Sequence, residues 1–151
     1  MKPFPVVVAL LLAGAAAPAC AQVEIEQPWC RAMPAGTKLG ACYLVLKNKS
    51  ASPDRLVGAS SPAAARVETH VTRKEGEVMT MRPVSGYDIP ANGRFELKPA
   101  GSHLMFVDVR QPFKEGDKVP VTLRFEKAGE VKVQFAVQKA APMAHGHAPM
   151  R

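Results

Sequence analysis

The chain has 151 residues, 47 % of them hydrophobic and 22 % charged, and its 20 basic against 13 acidic side chains give a formal charge of +7. That length suits one domain built on a single core. The basic residues are dispersed, which argues against nucleic-acid binding, where a clustered stripe with exposed aromatics is needed.

Residues 1–21 read as a secretory signal: Lys2 gives the positive start, 6–17 the apolar run, and Ala19-Cys20-Ala21 a small-x-small cleavage site. The run falls short of the about 20 apolar residues that span a bilayer, and no later segment comes closer. Cleavage would leave a soluble periplasmic chain starting at Gln22, its formal charge lowered to +6 by the loss of Lys2. A lipidated Cys20 is the competing reading, but Ala17-Pro18-Ala19 lacks the bulky apolar residue that such signals carry ahead of the small ones.

From Gln22 the pattern predicts strands at 23–31, 41–47, 54–59, 66–72, 78–84, 93–98, 103–109, 119–125 and 131–138. They are short, rich in Val, Thr, Phe and Leu, and bounded by Gly, Pro, Asn or Asp. Val121-Thr122-Leu123-Arg124-Phe125 alternates as a half-buried antiparallel strand does, and no segment of helical length shows a 3.6-residue period. Many short strands at this spacing imply one all-β domain over 22–138, a two-sheet sandwich or a barrel, with Trp29 in its core. Cys30 and Cys42 flank a loop-like stretch, 33–37, between two of these strands. Antiparallel pairing would bring them together as a structural disulfide worth about 3 kcal/mol in the chain-entropy model. A redox pair or thiolate metal ligands stand beside that reading, although the spacing is far from Cys-x-x-Cys.

The chemistry-bearing residues gather in two places. The four histidines, at 70, 103, 145 and 147, each have methionines nearby: Met79, Met81 and Met105 accompany the first two, while Met143 and Met150 bracket the last two. Residues 69–84 read as a hairpin turning at Glu75-Gly76, which would set His70 directly opposite Met81. His103 and Met105 are two apart on one strand and so face one way. Two such pairs make an N₂S₂ site. Soft thioethers mixed with imidazoles, without carboxylates, favour Cu(I) over zinc, calcium or magnesium. Neutral ligands leave the ion easy to surrender, which suits a carrier. No cysteine lies near His103 for a blue-copper centre, and no nucleophile or acid/base pair accompanies these residues, so an enzyme is not expected. Singly, each methionine could equally be a gap filler in a core.

Residues 139–151 lack apolar periodicity and read as a flexible tail. Its His145 and His147, with Met143 and Met150, could form a second site for Cu(II) or extend the Cu(I) shell; otherwise this is a weakly binding end.

With these residues the chain resembles the PCu(A)C-type periplasmic copper chaperones, whose motif is His, ten residues, Met, twenty-one residues, then His-x-Met. His70, Met81, His103 and Met105 match it at every spacing, within similar flanking text such as 78–84, 89–93 and 97–105. The resemblance runs from Trp29 to Gln138. It implies a cupredoxin-like (Ig-like) antiparallel β-sandwich that binds one Cu(I) through those four residues; separately, a monomer is expected. It further implies delivery to the Cu(A) subunit of cytochrome c oxidase, often alongside a Sco-type protein. The alternatives are an exported β-sandwich interaction module, a copper buffer with no dedicated recipient, or a redox protein acting through Cys30 and Cys42.

Overall fold

The computed structural model describes residues 22–140. Ten strands follow one another: β1 (Val23–Arg31), β2 (Leu39–Asn48), β3 (Asp54–Ser60), β4 (Ala64–Glu75), β5 (Val78–Pro83), β6 (Tyr87–Ile89), β7 (Arg94–Glu96), β8 (Ser102–Val109), β9 (Lys118–Phe125) and β10 (Gly129–Gln138). Their hydrogen-bonded order is β5-β4-β8-β2-β1-β10-β9-β3-β6, and a further pairing of β3 with β4 at Ala59 and Val67 closes the central strands into a ring. The ring is the cupredoxin-like β-sandwich expected from the sequence. Among the described strands β1 and β10 make the one parallel pair.

Alternation decides which side chains enter the sandwich. On β9, Val119, Val121, Leu123 and Phe125 are buried while Lys118 and Arg124 are exposed. β2 is buried on both faces along most of its length. Leu44 and Leu46 point into the core with Leu104 and Phe106 of β8, and Trp29 covers Tyr43 with ring centroids 4.8 Å apart. Trp29 reaches that position past an irregularity in β1 between Glu26 and Trp29, where Gln27 has φ 49°. β7 and β8 take successive stretches of one edge of β2, at 45–47 and 39–42.

Beyond shifts of a few residues at strand ends, the structure corrects the sequence reading at two places. A short strand, β6, forms at 87–89 where none was expected. The β4–β5 hairpin turns at Gly76-Glu77 rather than Glu75-Gly76, so Met81 stands opposite Thr72 and His70 opposite Pro83. The physical reason is the glycine. Gly76 has φ 64° and takes the first central position of the turn, where a II′-type hairpin loop, whose twist matches the strands, needs a positive φ. The shift is two residues, so the alternation is preserved and Met81 keeps the face of His70.

Candidate metal centre

The site grows out of the register of three neighbouring strands. His70 of β4 is directly paired with His103 of β8, Glu68 with Met105, and Thr72 with Met81 of β5. Directly paired residues share a face, as do residues two apart on one strand. His70, His103, Met105 and Met81 therefore lie on one face, and the two methionines are diagonal neighbours of His70. Diagonal positions are about 7–8 Å apart at the backbone, within reach of long side chains. His103 and Met105 are 3 % and 7 % exposed, His70 is half-buried, and Met81 is 57 % exposed. The four sequence-predicted residues thus share one face, with His103 and Met105 buried, His70 half-buried and the Met81 thioether exposed at the edge strand.

The imidazoles are held in complementary ways. Their ring centroids are 5.7 Å apart. His70 Nε2 lies 2.8 Å from Glu68 Oε2, and His103 Nδ1 lies 3.2 Å from the Gly101 carbonyl oxygen. In neutral rings these contacts are N–H donations, which leave the lone pairs on His70 Nδ1 and His103 Nε2. Both atoms are buried and without a hydrogen-bond partner; among the described residues they are the two side-chain nitrogens or oxygens of which this is true. A buried polar atom left unpaired costs about 1–3 kcal/mol, and two lone pairs from adjacent strands make a natural place for a cation that accepts them.

The backbone behind the rings is pinned. Tyr87 Oη lies 2.6 Å from the His70 carbonyl oxygen and 2.7 Å from that of His103, one phenol O–H shared between two acceptors. Burial pushes this phenol well above the ordinary tyrosine range, so it remains a neutral donor. Tyr43 flanks His103 at 6.5 Å between ring centroids and backs onto Trp29, walling one side. Burial, with a smaller contribution from His70, holds the His103 imidazole below the usual histidine range against the opposing pull of the Gly101 carbonyl. Glu68 is held below the usual carboxylate range by Arg66, whose Nε donates to Oε1 at 2.6 Å, and then by His70.

Among the described residues no three His, Cys, Asp or Glu side chains gather into a metal cage. An ion held at His70 and His103 would take its further ligands from thioethers, the donor set of a soft monovalent ion. Cys30 and Cys42 are joined in a disulfide and fully buried, so neither offers a thiolate. Met143, His145, His147 and Met150 lie outside the described residues, as does the stretch read as a signal. Sequence reasoning missed Glu68 and Tyr87. Glu68 carried a signal, being two residues from His70 and therefore on its face; Tyr87 reaches the site only through tertiary packing.

The chain matches the model of the LpqE-like family over residues 23–137. The curated "Putative lipoprotein Lxx21020" of Leifsonia xyli subsp. xyli (strain CTCB07) is 33 % identical over 117 residues, which cover 77 % of this chain and 69 % of that protein. Among solved structures, the copper-bound PCuAC domain from PmoF2 is 32 % identical with a TM-score of 0.67, the match covering 80 % of this chain and 94 % of that domain. The solution structure of CuI-DR1885 from Deinococcus radiodurans is 31 % identical with a TM-score of 0.61, covering 84 % of this chain and 83 % of that one. Its apo form, also 31 % identical, gives 0.62, covering 93 % and 92 %. The family match spans nearly the whole described domain and the structural matches agree with it: the chain belongs to the LpqE-like family of PCuAC-type domains.

Proposed function

We propose that this protein is a copper chaperone that binds one Cu(I) through His70, Met81, His103 and Met105 and passes it to a cuproenzyme. The observation that carries this reading is the pair of buried, unpartnered imidazole nitrogens on the same face as two thioethers. The copper-bound PmoF2 domain and CuI-DR1885 support it as similar proteins that hold the same metal. Exposure of Met81 gives an incoming ligand somewhere to attack, because a rim thioether can be displaced without opening the core. The recipient proposed is the Cu(A) centre of cytochrome c oxidase, with a Sco-type protein as companion, in the periplasm. Export is supported by the signal-like residues 1–21 and by the lipoprotein name of the Leifsonia relative. Catalysis has no place in this reading. The tail residues His145 and His147, with Met143 and Met150, are proposed as an auxiliary Cu(II) site.

The test is an anaerobic Cu(I) titration of the chain from Gln22 onward against a chromophoric chelator, beside His70→Ala/His103→Ala. One tight equivalent that disappears in the double variant is the expected result. No tight equivalent in the unsubstituted chain would leave an exported β-sandwich without a carrier role, and transfer of the bound ion to a Cu(A)-bearing domain would separate a chaperone from a buffer.

A further inference from the structure

Arg66, Glu68 and His70 alternate along β4 and stand on one face, and Glu68 is also directly opposite Met105. The Glu68 carboxylate is held at both ends: Oε1 accepts from Arg66 Nε at 2.6 Å, and Oε2 lies 2.8 Å from His70 Nε2. On the facing strand the arrangement is inverted, because there the Nδ1 of His103 meets the Gly101 carbonyl and Nε2 is left free. We infer that Glu68 is a positioning residue that fixes His70 as its Nε2–H tautomer, so that Cu(I) is held by Nδ1 of His70 and Nε2 of His103. The inference rests on the copper reading above and deepens it.

The physical reason lies in the shape of imidazole. Nδ1 sits next to the ring carbon that joins the backbone arm, and Nε2 sits at the far side, so the choice of nitrogen moves the metal relative to β4. A neutral His70 without a fixed acceptor would exchange tautomers and rotate its ring, presenting either atom. The Glu68 carboxylate, itself oriented by Arg66, removes that freedom before the metal arrives. It also sets a negative charge beside a cation whose four proposed ligands are neutral. Groups that orient a ligand in this way are worth about 10–100-fold in metal affinity.

The experiment is a long-range ¹H–¹⁵N correlation on the chain from Gln22 onward with ¹⁵N-labelled imidazoles, copper-free and with one equivalent of Cu(I), combined with chelator competition. In the copper-free protein His70 should carry its proton on Nε2. On loading, the nitrogen signals that move as ligands should be Nδ1 of His70 and Nε2 of His103. Glu68→Ala should lower Cu(I) affinity by about 10-fold or more and shift His70 to Nε2 or mixed coordination. Glu68→Gln, whose amide oxygen still accepts from Nε2–H, should restore Nδ1 coordination and most of the affinity; that rescue is what a general loosening of β4 would not show. Coordination through Nε2 of His70 in the unsubstituted protein would overturn this inference alone, as would a Glu68→Ala variant that keeps both Nδ1 coordination and affinity. Histidine signals unmoved by Cu(I) in the unsubstituted protein would overturn the copper reading and this inference together.

Discussion

Met81 and Met105 offer the same thioether on one face at very different depths, one 57 % and the other 7 % exposed. Oxidation to the sulfoxide follows exposure, so dilute peroxide with peptide mass mapping should convert Met79 and Met81 well before Met105. Loading with Ag(I), a soft ion that does not itself react with peroxide, should slow oxidation of Met81 severalfold and leave Met79 unchanged. Protection of both to the same extent would point to burial of the hairpin rather than ligation by Met81. His103 gives a second prediction at this scale. Burial holds its folded-state pKa below the usual value, whereas the unfolded chain takes up the proton near pH 6.5. Between the two the unfolded state binds more protons, so stability rises with pH there and is lost as pH falls below about 6.5. Urea midpoints of the copper-free protein should therefore drop from pH 7.5 to pH 5.5, a window above the carboxylate range, and His103→Gln should flatten that slope. An unchanged slope in the variant would mean that another group is responsible.

The β4–β5 hairpin is the element on which the position of Met81 depends, and Gly76 sets its register. A Cβ at Gly76 would meet nothing within 4 Å, so the cost of substitution there is conformational rather than steric crowding. Gly76→Val forces a β-branched residue to a positive φ, at about 1–2 kcal/mol. Cu(I) affinity should fall severalfold while the thermal midpoint moves little, because β5 is an edge strand with most of its side chains exposed. Gly76→Asn, which tolerates this backbone region, should lose less. A large drop in the thermal midpoint would mean that the hairpin is integral to the core. The same hairpin shows how far sequence carries. Its existence and faces were legible, because alternation survives a two-residue slip. Its register was not, because the choice between two turns around one glycine rests on backbone twist. The reading also ended β4 at Thr72, where the structure carries it on to Glu75; Arg73-Lys74-Glu75 is charged throughout and shows no alternation. β6 was hidden because three residues between Gly86 and Pro90 are too few to establish a period. The types and spacings of the candidate ligands were plain, but the His70–His103 pairing joins strands separated by three others in sequence, and Glu68 had the look of an ordinary surface charge.

At the scale of the molecule, the pairings that local patterns could not reveal are those that close the ring, β1 with β10 and β3 with β4. The first brings the two ends of the described domain together, and there the Cys30–Cys42 disulfide joins β1 to β2 across directly paired positions. Both sulfurs belong to the buried core, whereas Tyr43, next along β2, turns the other way to flank His103. The bridge therefore braces the wall of the proposed metal face from behind without being part of it. Cys30→Ala/Cys42→Ala should lose about 2–4 kcal/mol in urea unfolding, mainly by releasing the loop constraint on the unfolded chain, yet still bind one equivalent of Cu(I). Retained stoichiometry with lowered stability assigns the cysteines to architecture. Loss of the copper equivalent in a variant that is still folded would return them to the chemistry and would require the metal face to be extended through the sheet.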